Sequence, residues 1–283
     1  MSLFNLHTHT NFCDGKAEPE AYALKAIQLG YHTLGYSGHA PVPFENKFAI
    51  KEEKLESYFQ EIRRIKSKYQ DRIHVLMSLE IDYIPGITKE FSNFKDQANL
   101  DYVIGGVHLI RNKDNNNNEL WFIDGPYREK YDRGLQVVFY GNPRKGVEAY
   151  YNQVLEMIAT QHPDIVAHLD KIKMHNNNRY FSEDESWYKS LVWKTLKYIA
   201  EETNTVIEIN TRGLYKKRAD TFFPGPEILE QIHHLKIPVT LSSDAHLPDE
   251  LDGFYPEALN LLKDIGFKDL ICFKDSSRQK YKI

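Results

Sequence analysis

Near the start of the chain, the stretch LHTHTNFCDG (6–15) sets His7 and His9 two positions apart, with Cys13 and Asp14 just beyond. Successive side chains of a β-strand alternate faces, so residues i and i+2 leave the same side roughly 6–7 Å apart. A strand over residues 3–9 would therefore point both imidazoles one way. Two neutral imidazoles converging on one point form a pincer for a divalent transition metal, because nitrogen donors suit Zn, Fe or Mn. On this pair alone, a metal site and two solvent-facing histidines at a strand end are equally open readings.

The rest of the chain supplies the elements that would position such a site. Apolar, strand-length runs recur at 3–6, 32–37, 73–79, 102–107, 165–169, 206–209, 239–242 and 270–273. Helix-like segments lie between them at 19–29, 51–69, 88–97, 146–160, 183–203, 225–234 and 255–265. The pattern SEDE at 182–185 reads as a capping box, and Pro226 after Gly225 suits a first helical turn. Strands alternating with helices predict an α/β fold with parallel strands and covering helices. Residues 110–145 break the alternation with NKDNNNNELWFIDGPY and GNPRKG, and read as a long loop over a site, whose asparagine run is a solvated turn. No Pro-, Gly- or Ser-rich linker divides the chain, so a single domain over 1–283 is expected.

Nearly every strand-like run stops at a potential ligand. His39 follows HTLGYSG, Glu80 follows VLMSL, His108 follows VIGGV, and His168 follows IVA; Asn210 ends VIEIN, and Asp244 and His246 follow PVTLSS. In parallel α/β folds, ligands lie outside the carboxyl ends of the strands, so residues far apart in sequence would converge on one mouth. Any one of these histidines alone reads as structural, but that explanation would have to be repeated independently at six strand ends. His7, His9, His39, His108, His168 and His246, with Glu80, Asp244 and Asp14, offer more donors than one tetrahedral or octahedral ion takes. Two or three divalent ions (Zn, Fe or Mn) sharing a carboxylate bridge would use them. His32, His74, His162, His175, His233 and His234 read as structural or solvated.

Composition bounds the remaining classes. The 283 residues are 41% hydrophobic and 27% charged, a globular profile with net charge -4. Nothing supplies the basic footprint of phosphate-backbone binding, so a nucleic-acid partner is not expected. Two cysteines, Cys13 and Cys272, argue against a disulfide framework and fit a reducing cytoplasm. No apolar run nears the length of about 20 residues that spans a membrane, and the N-terminus does not read as a signal peptide. Oligomeric state leaves no trace in the sequence.

The strings HTHTNFCDG, GHAP at His39, LEIDY around Glu80, GVHL around His108, AHLD around His168, EINTRGL at Asn210 and SSDAH around Asp244 resemble the PHP (polymerase and histidinol phosphatase) superfamily, and more narrowly its monofunctional histidinol-phosphate phosphatases. The resemblance implies a distorted (β/α)7-type, TIM-like barrel with a di- or trinuclear Zn, Fe or Mn centre at the C-terminal ends of its strands. It implies hydrolysis of L-histidinol phosphate to L-histidinol and phosphate, a small-molecule phosphate monoester, in histidine biosynthesis. Carried onto this chain, His7, His9, Glu80 and Asp244 would hold one metal; Glu80 would bridge to a second held by His108 and His168; His39, His246 and Asp14 would hold a third.

The resemblance weakens in the substrate shell. Tyr215 stands where relatives carry a basic residue after NTxGL, so Arg212, Lys216, Lys217 or Arg218 would contact phosphate instead, with Lys171, Lys173 or Arg179 as further clamps. Hydrolysis would proceed by in-line attack of a metal-bridging hydroxide, with His246, Asp244 or His39 protonating the leaving alkoxide. Asp124, Tyr127 or Trp121 of the long loop would recognise the amine and imidazole of the substrate. Competing readings are a PHP phosphoesterase acting on nucleotides or oligonucleotide ends, and a metal-stabilised module without catalysis.

Overall fold

The structure, a computed structural model, describes residues 3–114, 119–274 and 276–283. Its strands are β1 (Leu3–Asn5), β2 (Tyr31–Tyr36), β3 (His74–Met77), β4 (Glu80–Asp82), β5 (Ile104–Gly106), β6 (Leu109–Arg111), β7 (Leu120–Phe122), β8 (Ile165–Val166), β9 (Val206–Asn210), β10 (Val239–Ser242), β11 (Asp269–Lys274) and β12 (Ser277–Lys282). Its helices are α1 (Pro19–Gln28), α2 (Leu55–Lys68), α3 (Phe91–Ala98), α4 (Arg128–Phe139), α5 (Pro143–Gln161), α6 (Ser186–Glu202), α7 (Arg212–Tyr215), α8 (Pro226–His234) and α9 (Tyr255–Ile265).

The helices begin and end where local chemistry dictates. Proline occupies the first turn of α1, α5, α8 and α9, where its missing N–H costs nothing. Asn142 caps α5, its side chain accepting from the Lys145 amide at 3.0 Å. Gly266 closes α9 at φ 112, a conformation open to glycine. In α2 the buried residues Leu55, Tyr58, Phe59, Ile62 and Ile65 recur at helical spacing and form the stripe that faces the strands. At SEDE the side chains of Ser182 and Glu185 do hold backbone amides: the Ser182 amide donates to Glu185 and the Asp184 amide to the Ser182 hydroxyl. The helix starts later than that pattern suggests, at Ser186.

Among the described residues, the parallel strands form two ladders, β1-β2-β3 and β10-β9-β8-β5-β4. The ladders touch through two single parallel bridges, Thr8 beyond β1 with Ala245 beyond β10, and His39 beyond β2 with Glu80 of β4. The α/β class and the parallel strands thus agree with the sequence, whereas the ladders do not close into the TIM-like barrel expected from it. The reason is local: the chain leaves regular strand geometry at Leu6, Ser37, Ser78 and Ser243, where side chains turn toward one centre. A second difference is the last apolar run, which forms an antiparallel hairpin of β11 with β12 rather than another parallel strand.

The expected long loop is also largely ordered. Leu109–Arg111 and Leu120–Phe122 pair as an antiparallel hairpin, and α4 follows; the asparagines at 115–118 lie outside the described residues. Trp121 anchors this excursion. It is fully buried, its indole N–H donates to the Tyr131 carbonyl at 2.8 Å, and its ring packs against Tyr131 and Phe139. Two helical glycines make room for it: a Cβ on Gly146 would lie 2.6 Å from the Trp121 ring, and one on Gly134 would come at least as close. Replacing Trp121 with Ala should cost about 3–5 kcal/mol, the usual range for emptying a buried large aromatic site. Urea denaturation with an unchanged m-value reads that loss directly; a midpoint like the wild type would mean the hairpin is held by other contacts.

Candidate metal centre

The departures from strand geometry bring the sequence-predicted ligands together. His7 and His9 follow β1, His39 follows β2, His108 follows β5, His168 follows β8, and Asp244 and His246 follow β10. Glu80 is not the end of β3, as its sequence context suggests, but the first residue of β4, paired with Ile104 of β5 and bridged to His39. It therefore sits where the chain crosses from one ladder to the other, at the middle of the cluster.

The two oxygens of Glu80 face different imidazoles. Oε2 lies 3.1 Å from His7 Nε2, 3.2 Å from His39 Nδ1 and 3.4 Å from His9 Nε2. Oε1 lies 3.1 Å from His168 Nε2 and 3.5 Å from His108 Nε2. Asp244 Oδ1 is 3.3 Å from His9 Nε2 and 3.4 Å from His246 Nδ1. Asp14, on the solvent side at 29% side-chain exposure, reaches His246 Nε2 at 3.1 Å, His9 Nδ1 at 3.7 Å and His39 Nε2 at 4.0 Å. Among the described residues, three groups have donor atoms close enough to share an ion: His7, His9 and Glu80; His39, Glu80 and His108; and His9, Asp14, His39 and His246.

The donor atoms fit a cation rather than one another. His7 Nε2, His9 Nε2, His39 Nδ1, Asp14 Oδ1 and Asp244 Oδ1 are buried atoms without a hydrogen-bond partner. Orphaned buried polar atoms are costly and rare, and here all five converge on one volume. The far sides of several rings are held by protein acceptors. His7 Nδ1 donates to Glu208 Oε1 at 2.6 Å, His108 Nδ1 to Asp82 Oδ1 at 2.8 Å, and His246 Nδ1 to the Asp244 carbonyl at 3.0 Å. Such backing fixes the tautomer and turns the other nitrogen inward, the arrangement that metal-binding histidines use.

Charge balance points the same way. Burial alone would lower the His7 imidazole, but Glu208, Glu80 and Asp244 overcome it and push it up to about 10. His108 goes up to about 9 despite burial, through Asp82 and Glu80. His246 moves the other way, down to about 4, by burial and by the positive charges of His9 and Arg212. Against burial, the imidazoles hold Glu80 and Asp244 well below the usual carboxylate range. Protons on His7 and His108 thus neutralise carboxylates that divalent cations would otherwise neutralise.

The strands also carry site residues that the sequence reading passed over. Glu208 and Asp82 lie inside the strands VIEIN and EID, each fully or nearly buried. Their signal was present, since an acid inside an apolar strand is almost never buried without a partner. Asn210 ties Glu208 to Asp244, donating to Glu208 Oε2 at 3.1 Å and Asp244 Oδ2 at 3.3 Å while accepting from the Arg212 amide at 2.9 Å.

Several substrate-shell expectations are redistributed. Arg212 is buried beside the centre, donating to the Asp244 carbonyl at 2.8 Å, with the Tyr215 hydroxyl bonding the neighbouring Ser243 carbonyl. Asp124 reaches the cluster, with Oδ2 at 3.7 Å from His108 Nε2 and 3.3 Å from Lys171 Nζ, and Arg218 at 3.9 Å from Oδ1. His175, read as solvated, holds that segment by donating to the Gly125 carbonyl at 2.7 Å. The other candidates are engaged elsewhere. Arg179 is fully used in a two-bond pair with Asp132, Lys216 pairs with Glu250, Lys173 pairs with Asp170 and Glu183, and Lys217 points to solvent. Tyr127 is 60% exposed with Lys130 over its ring, and Trp121 belongs to the core. Cys13 lies 3.5 Å from His9 Nδ1, beside the centre rather than in it.

Known proteins resemble this chain over most of its length. The sequence model described as PHP domain matches residues 5–212. A protein of Deinococcus radiodurans named "Probable histidinol-phosphatase" is 26% identical, with 93% of this chain and 94% of the relative aligned. The histidinol-phosphatase of Bacillus subtilis is also 26% identical, over 88% of this chain and 95% of its own length. Among solved structures, histidinol phosphate phosphatase of Lactococcus lactis, complexed with Zn, L-histidinol and phosphate, superimposes with a TM-score of 0.73 at 22% identity, covering 98% of both chains.

Because His7, His9 and His108 are all pushed toward the protonated form that a divalent ion must displace, Zn2+ binding near pH 7.5 should release up to about three protons per chain. Affinity should accordingly fall as pH is lowered. A pH indicator in weakly buffered solution measures the release; binding without any would mean that these imidazoles are neutral before the metal arrives.

Proposed function

Since the chain belongs to the PHP domain family, we propose that it is a metal-dependent phosphomonoesterase that hydrolyses L-histidinol phosphate to L-histidinol and phosphate. The observation that carries this reading is Glu80, a buried carboxylate whose two oxygens face two separate sets of imidazoles. Relatives aligned over nearly their whole length are named histidinol-phosphatases, which supports the substrate. On this reading residues 1–283 work as one domain, and the strands and their bridges act as an incomplete (β/α) barrel.

His7, His9, Glu80 and Asp244 would hold one divalent ion and Glu80, His108 and His168 a second. His39, His246 and Asp14 would hold a third, with Zn, Fe and Mn all suited to the donor set. Such ions, when bound, neutralise phosphoryl oxygens and make a bound water acidic enough to attack near neutral pH.

The chain's own groups do the rest. Arg212 is the cation best placed for free phosphate oxygens, since its guanidinium is buried beside Asp244. Lys171 and Arg218 flank Asp124 and replace Lys216, Lys217 and Arg179 in the expected clamp. Asp124 keeps Oδ1 buried and without a hydrogen-bond partner, available to accept from the substrate's ammonium group. If only the first two ions are held, His246 Nε2 and Asp14 Oδ1, 3.1 Å apart on the solvent side, would be free to pass a proton to the leaving oxygen. Asp244 and His39 would hold cations.

Phosphate release should be faster from L-histidinol phosphate, in kcat/KM, than from AMP or an aryl phosphate, and should disappear with chelator. A higher kcat/KM for AMP would replace the proposed substrate by a nucleotide. No chelator-sensitive release from any of the three would leave a module without catalysis. Asp124→Asn should raise KM for L-histidinol phosphate about tenfold, as expected when a charge-assisted hydrogen bond is weakened, with kcat less affected. An unchanged KM removes Asp124 from substrate binding.

A further inference from the structure

Glu208 touches none of the groups facing the open side of the centre, yet this buried carboxylate accepts four hydrogen bonds. Oε1 accepts from His7 Nδ1 at 2.6 Å and from the Ser242 hydroxyl. Oε2 accepts from the backbone amide of His168 at 3.0 Å and from Asn210 Nδ2 at 3.1 Å. A carboxylate has about four acceptor positions, and here all four are used. Two of these partners lie on opposite sides of Glu80: His7 faces its Oε2, and His168 faces its Oε1.

We infer that Glu208 is a positioning residue that fixes the two imidazole subsites on either side of Glu80 relative to each other. The inference rests on the metal-centre reading above. At His7, Glu208 takes the Nδ1 proton and leaves Nε2 as the inward donor. At His168 it holds the main chain: this residue has φ 28, a region that non-glycine residues seldom adopt. Its amide is secured by a charge-assisted bond to Oε2. The side chain of His168 is then aimed so that Nε2 lies 3.0 Å from His108 Nε2. One carboxylate on β9 thereby couples the ends of β1 and β8, which belong to different ladders.

Substitution by glutamine separates this role from simple packing. A glutamine at this position has nearly the same volume but only one acceptor oxygen, and whichever way the amide turns, its NH2 group faces either His7 Nδ1–H or the His168 amide. One subsite must lose its hold. Aspartate keeps the charge but is one methylene too short to serve both contacts.

The test uses the full chain, loaded with Zn2+ and, in parallel, Co2+. Zn2+ affinity is measured by competition with a chromophoric chelator, and subsite geometry is read from the Co2+ absorption spectrum. Glu208→Gln should bind Zn2+ about 10- to 100-fold more weakly, the usual effect of removing a hydrogen-bond partner of a metal-bound histidine, and should shift the Co2+ spectrum. Ile62→Ala, a fully buried position in α2, serves as the control for lost stability. It should lower Tm and leave Zn2+ affinity and the Co2+ spectrum as in the wild type. Should Glu208→Gln not fold, Glu208→Asp carries the same measurements with the same expectation. Wild-type affinity and spectrum in the folded Glu208 variant overturn the inference, as does an equal loss of affinity in Ile62→Ala. A wild-type chain that binds neither ion overturns the metal-centre reading itself, which is a distinct result.

Discussion

A carboxylate placed in the interior must meet positive charge, and the arrangement of this chain follows from that requirement at Glu80. An isolated buried carboxylate would pick up a proton rather than stay ionised. Glu80 instead lies between five imidazole nitrogens, and every one of them comes from the end of a different apolar run or from the first strand's continuation. The parallel ladders are what make this possible, because they deliver strand ends side by side. The ladders also meet there, where His39 bridges Glu80 and Thr8 bridges Ala245 among the donor residues.

Holding so many donors in one place creates a second demand, because each imidazole must be prevented from rotating toward its neighbour. Glu208, Asp82 and the Asp244 carbonyl meet it by accepting the outer ring protons. His168 and Asp244 meet it in the backbone, both with positive φ. Such conformations cost of order 1–3 kcal/mol each and persist where surrounding contacts over-determine them. Here the contacts are specific: Glu208 on the His168 amide, and Arg212 and Tyr215 on the Asp244 carbonyl. Tyr215 thus supports the backbone at Ser243 and Asp244 through its hydroxyl.

What was legible in the sequence was what a strand end exposes. His7, His9, His39, His108, His168, Asp244 and His246 each follow an apolar run, and period-two and strand-length patterns locate such ends well. Glu208 was harder to see because it lies within an apolar run, and Asp82 because it lies beyond the run that ends at 79; the buried charge in VIEIN and EID was the clue. The cationic shell was legible only in outline. Arg179, Lys216 and Lys173 carry the right chemistry, but each has a carboxylate partner brought close by the fold that a linear reading does not reveal. The hairpin and α4 were hidden for a related reason. Trp121 reads as a loop aromatic until Gly134 and Gly146 are seen to clear space for it in two helices.

The excess of acid around the centre sets how a phosphate monoester can be accommodated. Glu80, Asp244, Asp14, Asp124, Asp82 and Glu208 crowd a volume in which Lys171, Arg212 and Arg218 are the fixed cations. Without further positive charge a dianion approaching this mouth would be repelled, since the imidazolium protons at His7 and His108 already offset carboxylates beside them. Divalent ions in this centre would add the missing positive charge, taking the place of those protons at the five orphaned donor atoms. On the proposed function, the same carboxylates that would repel a phosphate monoester from the bare protein would be what gathers cations at the mouth. A requirement for metal would then follow from the charge distribution before it follows from the chemistry.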